Sequence, residues 1–130
     1  MDIKKFDSKT NADKGMKFYL EEPTEKDKEG AGLILYGADS SVMKEKDREI
    51  QRRNREKKSP LTPEEIENQL FERLVAGTKG TFGKLKEGDK EFIHSPSEAD
   101  RLYREYPDIA DRASMFVYTR ANFFPTASAT

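Results

Sequence analysis

The segment from Ser95 to Phe124 constrains the fold most, because it carries the densest apolar pattern in the chain. It opens with Ser-Pro-Ser-Glu, which places serine at the N-cap, proline at the first helical position and glutamate where a capping box needs it. Apolar and aromatic residues then recur at helical spacing, at Ala99, Leu102, Tyr103 and Tyr106. The pattern predicts a helix over residues 96–106 with one buried face.

A second helix is predicted directly after the first, over residues 108–123. Pro107 disfavours helical geometry at Tyr106 and is itself suited to begin a new helix. The apolar stripe of this second helix consists of Ile109, Ala113, Phe116, Val117 and Phe123 or Phe124. We therefore expect a helical hairpin or corner that contains much of the core.

Two short stretches near the start of the chain have the pattern of strands. Met16, Phe18 and Leu20 alternate with more polar residues, as in a half-buried strand, and residues 31–36 form a second apolar run. A charged, turn-rich loop separates them, so residues 16–36 are predicted to form an antiparallel β-hairpin. Two strands alone are marginally stable, and the hairpin must therefore pack on the helices or pair with strands of another chain.

Two further helices are predicted between the hairpin and the C-terminal pair, over residues 41–57 and 63–76. The first has few apolar residues and is expected to be largely solvated. The second opens with Thr62-Pro63-Glu64-Glu65, a capping box with proline at the first helical position. The glycine-rich segment 78–90 that follows is predicted to be a loop, with a short irregular hairpin around Phe82, Leu85 and Phe92.

These elements predict a single small domain over residues 16–124 of a 130-residue chain. The fold class is α+β and mainly helical: an N-terminal antiparallel β-hairpin followed by about four helices. Residues 1–15 are polar and are predicted to be a flexible N-terminal arm. Residues 125–130 have nothing to bury and are predicted to be a disordered tail.

Composition restricts the kinds of function that the chain can have. Charged residues make up 38% of it, but 24 Lys and Arg against 25 Asp and Glu give a net charge of -1, which argues against a generic polyanion binder. Cysteine is absent, which excludes disulfides and thiolate chemistry. No signal-peptide core and no bilayer-spanning run are present, so a soluble cytoplasmic protein without a membrane partner is expected.

The motifs do not indicate an enzyme. His94 is the only histidine, and Ser95 beside it is better explained as an N-cap than as a nucleophile. Gly77, Gly80 and Gly83 follow a helix rather than a strand and lack the lysine of a phosphate-binding loop. No metal site and no cofactor are predicted.

The basic segment from Arg52 to Lys58 is a candidate for contact with nucleic acid through phosphates. Acidic residues interleave with it at Glu45, Asp47, Glu49 and Glu56, which is more typical of a solvated helix face. Nucleic-acid binding is therefore the least favoured of the functions considered.

Short motifs follow one another along nearly the whole chain: Phe6-Asp7-Ser8-Lys9-Thr10, Gly15, Glu22-Pro23-Thr24, Leu33 to Ser40, Ile66 to Gly80, Ser95 to Ala99, Tyr106 to Ile109, and Arg120 to Phe123. The order and spacing of these motifs resemble those of the motifs in the small tail assembly chaperones of long-tailed, siphovirus-type bacteriophages. That family commonly has a tryptophan in a Gly-Trp-x-Gly-Leu-like segment, where this chain has Thr81-Phe82-Gly83-Lys84-Leu85. Phe82 is the candidate for the aromatic anchor at that place.

The resemblance implies a binding protein and not an enzyme. Proteins of this family keep the long tape-measure protein soluble while tail-tube subunits polymerise around it. The expected partners are therefore the tape-measure protein and, secondarily, the tail-tube protein, with self-association also open. The resemblance further implies action in the host cytoplasm and absence from the mature virion. The alternative is a minor structural or head–tail joining protein, whose hairpin pairs with neighbouring strands.

A long helical client exposes apolar stripes, which an apolar groove on a small helical protein can cover. Seven side chains are candidates for the core or for such a protein-binding surface, and the sequence does not separate the two roles: Phe82, Leu102, Tyr103, Phe116, Val117, Phe123 and Phe124.

Overall fold

The computed structural model describes residues 1–125, and in them the chain forms five α-helices, five β-strands and two short 3₁₀ helices. The elements, in chain order, are α1 (Lys9–Lys14), β1 (Met16–Glu21), β2 (Ala31–Leu35), α2 (Ser41–Glu56), α3 (Pro63–Ala76), β3 (Thr78–Gly83), β4 (Lys86–Glu87), β5 (Lys90–Glu91), α4 (Pro96–Glu105) and α5 (Pro107–Tyr118). The predicted fold class is confirmed: a strand hairpin is followed by a mainly helical chain. The predicted disordered tail, apart from Pro125 in a turn, lies outside the described residues.

The first three strands form an antiparallel sheet in the order β1-β2-β3. The predicted pairing of β1 with β2 is confirmed, with Phe18 opposite Leu33. The prediction of a loop is wrong for residues 78–83, which form β3 and pair with β2 so that Phe82 lies opposite Gly32. The glycines of this segment are a local turn signal, and pairing with the central strand overrides it.

The short hairpin predicted further on is present as β4 and β5, with Lys86 opposite Glu91. Gly88 in its turn has a φ of 62°, a left-handed backbone that glycine adopts without a steric penalty. At the base of the hairpin, the backbone N–H of Phe92 donates to the carbonyl of Leu85 at 2.8 Å.

Helix starts follow the capping signals in the sequence. Thr62 and Glu65 form the predicted reciprocal capping box of α3. Ser95 caps α4, since its Oγ accepts a backbone N–H bond of 3.1 Å from the third residue of that helix. Between α4 and α5 a single residue, Tyr106, leaves helical geometry because a proline follows it.

The prediction for the end of the last helix is wrong by five residues, because α5 ends at Tyr118 and not at residue 123. Thr119 has an extended backbone, and its Oγ1 donates to the carbonyl of Met115 at 2.7 Å. This side-chain bond occupies a carbonyl in the last turn, and the chain continues as the 3₁₀ helix Arg120–Phe123.

The N-terminal segment is not a free arm in this structure. A 3₁₀ helix, Ile3–Phe6, is followed by α1, in which Ala12 is completely buried. Asn11 Nδ2 donates to the carbonyl of Phe124 at 3.2 Å, so that the two ends of the chain are joined. The arm prediction is therefore wrong for α1, because the only buried residue of α1 is a small alanine that leaves no apolar pattern to read.

Asp39 strengthens the same junction. Its carboxylate accepts hydrogen bonds from the guanidinium of Arg120, at 2.9 and 3.2 Å, and from the hydroxyl of Ser8. Arg120 and, second, Ser8 hold the pKa of the Asp39 carboxyl below its usual value. The charged form of Asp39 therefore connects the start and the end of the chain to the turn before α2.

The sheet and helices α2 to α5 share one main core, and α4 and α5 supply nearly half of it. Its buried members are Phe18, Leu33, Leu35, Met43, Phe71, Leu74, Phe92, Ala99, Leu102, Tyr103, Ala110, Ala113 and Val117. A smaller cluster at the joined chain ends consists of Ala12, Met16 and Phe123. Phe116 packs against both clusters and connects them.

Candidate functional site

The structure separates the seven candidate side chains into core and surface. Five of them are less than a tenth exposed and belong to the interior: Phe82, Leu102, Tyr103, Val117 and Phe123. The remaining two, Phe116 and Phe124, are half-buried. Most of the side chains that the sequence suggested are therefore buried, and an apolar binding surface must consist mainly of other residues.

Tyr103 shows how firmly the buried members are held. Its hydroxyl lies 2.6 Å from Thr78 Oγ1, and that hydroxyl in turn donates to the carbonyl of Leu74 at 2.7 Å. Because threonine has only one hydroxyl proton, Tyr103 must be the donor to Thr78. Burial raises the pKa of Tyr103 to about 12, so the ring stays neutral and acts as a structural donor.

An apolar hollow of about 290 Å³, here called the apolar pocket, opens between β1, the β4–β5 hairpin and the α4–α5 junction. Its apolar walls are Leu20, Leu85, Phe92, Leu102, Tyr106 and Ile109. The volume is near the lower end of that of pockets for small ligands and suits one or two large apolar side chains.

The charged groups beside the apolar pocket are paired with one another. Glu87, on the hairpin, accepts two hydrogen bonds from Arg101 at 2.8 and 3.1 Å, and one from the Tyr106 hydroxyl at 2.6 Å. Arg101 and, second, Tyr106 lower the pKa of Glu87 to about 2. These contacts fix the hairpin to α4 and α5, so that the pocket is formed before any partner arrives.

A second hollow of about 310 Å³, here called the α5 groove, lies further along α5. It is lined by Phe18, Arg112, Met115, Phe116, Thr119 and Asn122. Met115 is 74% exposed and adds a large apolar side chain to this groove. The rings of Phe18 and Phe116 in the same groove make a tilted aromatic contact, with centroids 5.3 Å apart.

Both hollows are lined by residues of β1 and α5, and together we call them the α5 cleft. Leu20 and Ile109 line the apolar pocket, and Phe18 and Phe116 line the α5 groove. Arg112 lines the α5 groove with its guanidinium 5.8 Å from the centre of the Phe18 ring, and it stands between Ile109 and Phe116 along α5. The cleft thus has two apolar recesses along α5, with the cation Arg112 between the α5 residues that line them.

Sequence reasoning missed Met115 and Arg112 as surface residues of interest. Met115 stands outside the apolar stripe of α5, among polar neighbours, and this break in the amphipathic pattern was the available signal. Leu20 and Ile109 were assigned to separate elements, and only the fold brings them together.

Another hollow, of about 610 Å³, lies between α2, α3 and α4 and has a more polar lining than the α5 cleft. Its charged groups already have partners: Arg104 binds Asp100 and Asn68, and Lys46 lies 3.7 Å from Glu72. A ligand would have to replace these contacts, so we favour the α5 cleft as the candidate site.

The other residues that could bind a ligand or take part in catalysis do not form a second candidate site in the part of the chain that the structure describes. His94 is half-buried, and its Nδ1 has no hydrogen-bond partner within residues 1–125. In the basic segment, Arg53 binds Glu72 at 2.7 and 3.2 Å, and Lys57 pairs with Glu65. Among the described residues, no three His, Asp or Glu side chains are grouped to hold a metal ion.

Over residues 1–125, no helix has both the length and the apolar character needed to cross a lipid bilayer.

In comparisons with known proteins, no family model, no curated protein and no solved structure matches this chain. The candidate site is therefore interpreted from its own geometry.

Proposed function

We propose that this protein is a tail assembly chaperone of a long-tailed phage, which binds the tape-measure protein through the α5 cleft in the host cytoplasm. The observation that carries the proposal is the 74% exposure of Met115 in the α5 groove, one of the two apolar recesses of the cleft. Apolar surface of this kind, bordered by charge, is typical of protein-interaction sites. The order of motifs along the chain supports the particular client.

A physical argument links the cleft to the chaperone role. A long helical client has apolar stripes that are exposed until assembly is complete, and such stripes associate with one another in water. A small domain that covers part of a stripe reduces this association. The high content of charged residues, 38% of the chain, keeps the resulting complex in solution. Tail-tube subunits then displace the chaperone, which is absent from the mature virion.

The alternative, a minor structural or head–tail joining protein that acts by strand addition, has less support. The two edge strands of the sheet are β1 and β3. The pairing register shifts between Tyr19 and Glu21 on β1 and between Ile34 and Leu35 opposite β3, and both edge strands carry a lysine, Lys17 or Lys79. Irregularities and lysines of this kind protect sheet edges against pairing with other chains. Abundant stoichiometric copies in purified particles would nevertheless favour this alternative.

The proposal is tested by co-expression with the tape-measure protein encoded in the same genome. We expect the client to become soluble and to co-elute with the wild-type chain in size-exclusion chromatography. Met115→Glu should abolish co-elution, because it places an unpaired charge where the client buries apolar surface.

Ile66→Glu is the matched control, since Ile66 is also exposed, at 55%, but lies on α3 outside the cleft. It should leave co-elution intact, and both variants should retain the wild-type midpoint in urea. A client that stays insoluble with the wild-type chain would contradict the proposal. Equal losses from the two variants would place the binding surface elsewhere.

A further inference from the structure

The α5 cleft also restricts the shape of its occupant. We infer that it accepts an amphipathic α-helix with large apolar side chains at positions i and i+7 and an acidic side chain between them. This inference rests on the proposed function, since it specifies the client segment that the same cleft would hold. It follows from the seven-residue spacing of Ile109 and Phe116, which line the two recesses, and from the charge of Arg112 between them.

The spacing favours a helix over an extended peptide. Ile109 in the apolar pocket and Phe116 in the α5 groove are seven residues apart on one helix, which is about 10.5 Å along its axis. A partner helix lying along α5 has the same rise, so its residues i and i+7 face the two recesses together. An extended strand places side chains on one face about 6.6 Å or 13 Å apart, and neither distance matches.

The positive charge of Arg112 favours an acidic residue in the partner helix, between its two apolar side chains. Arg112 lies one helical turn from both Ile109 and Phe116. Its ion pair with Asp108 is long, at 3.8 Å, and both side chains are at least half exposed. A guanidinium has five N–H donors, so Arg112 can bind a carboxylate from a partner without giving up its position on the Phe18 ring. A residue at i+3 or i+4 of the partner helix would face it.

The partner is therefore expected to use two apolar anchors and one charge. Burying one leucine side chain contributes roughly 1.5–3 kcal/mol, which corresponds to about a 10- to 150-fold change in affinity per anchor. The central ion pair contributes less at a partly exposed position, and it serves mainly to fix the register of the helix.

The test uses a series of fluorescently labelled synthetic peptides of about 18 residues, a length at which a helix can form on binding. The reference peptide has leucine at i and i+7 and glutamate at i+4 on a background of alanine, glutamine and lysine. One variant moves the second leucine to i+5, one replaces the glutamate with lysine, and one has a central proline. Fluorescence anisotropy with the full-length protein gives each affinity.

We expect the reference peptide to bind, the i+5 and proline peptides to bind at least about tenfold more weakly, and the lysine peptide to bind more weakly than the reference. Arg112→Glu should reverse the preference, so that the lysine peptide binds better than the glutamate peptide. Arg52→Glu, the same charge change on α2 outside the cleft, should leave the order of affinities unchanged.

Two outcomes overturn the inference: absence of binding by the reference peptide, or equal affinities across the series. If either occurs while the full-length client still binds through Met115, the proposed function stands and only the helical occupant is wrong. If the client does not bind but the peptide series discriminates as expected, the proposed function is wrong and the cleft serves another helical partner.

Discussion

Replacing Tyr103 with alanine is expected to lower the free energy of unfolding by about 3–5 kcal/mol, the usual cost of removing a large buried aromatic side chain. Tyr103 has no exposed surface, and its ring is a member of the main core. The change also removes the donor to Thr78, whose own proton is bound to the carbonyl of Leu74. Urea denaturation followed by circular dichroism measures the loss.

A loss of this size is a large part of the stability of a small domain, so a milder variant is needed beside it. Tyr103→Phe keeps the ring and removes only the hydroxyl, and should cost about 1 kcal/mol. Tyr118→Ala is the matched control, because Tyr118 is on α5 and 45% exposed, and it should change stability by less than about 1 kcal/mol. Equal effects of Tyr103→Ala and Tyr118→Ala would show that Tyr103 is not a core residue.

The second large effect is expected at the joined chain ends. Phe123→Ala should also cost about 3–5 kcal/mol, because the ring is 1% exposed and packs edge-on against Phe116, with centroids 5.5 Å apart. It is one of the three buried residues of the small cluster with Ala12 and Met16. Its loss should therefore release α1, which hydrogen–deuterium exchange would detect as faster exchange in residues 9–14.

Phe6→Ala provides the control for this variant. Phe6 is 54% exposed and makes an edge-on contact with Phe124, with ring centroids 5.8 Å apart. It should reduce stability by less than about 1 kcal/mol and leave exchange in α1 unchanged. Slow exchange in α1 after Phe123→Ala would mean that α1 is held by its own contacts and not by the C-terminal segment.

Local signals explain which parts of the fold were predictable. Capping residues such as Thr62, Glu65 and Ser95 act within one turn of their helix, and the helices that they start are found where the sequence places them. β3 depends instead on pairing with β2, about 45 residues earlier in the chain, and its glycines point locally to a turn. α1 was missed because its burial depends on contact with the other end of the chain.

The candidate site was less predictable than the fold for a related reason. Helical periodicity identifies side chains that are removed from water, but it does not tell whether the same chain or a partner removes them. Tyr103 and Phe123 were therefore selected together with Leu102 and Phe116, although only the last two of these four line the cleft. The exposed Met115 is the opposite case, since it interrupts the periodic pattern and so escapes a search based on that pattern.

The central claim, that a client covers the α5 cleft, is tested most directly by methionine oxidation of the purified complex. Oxidation follows exposure, and the four methionines provide internal references: Met1 is 93% exposed, Met115 is 74% exposed, and Met16 and Met43 are buried. With the tape-measure protein bound, we expect oxidation of Met115 to slow several-fold while that of Met1 stays the same. Oxidation of Met115 at the same rate in the complex as in the free protein would contradict the claim.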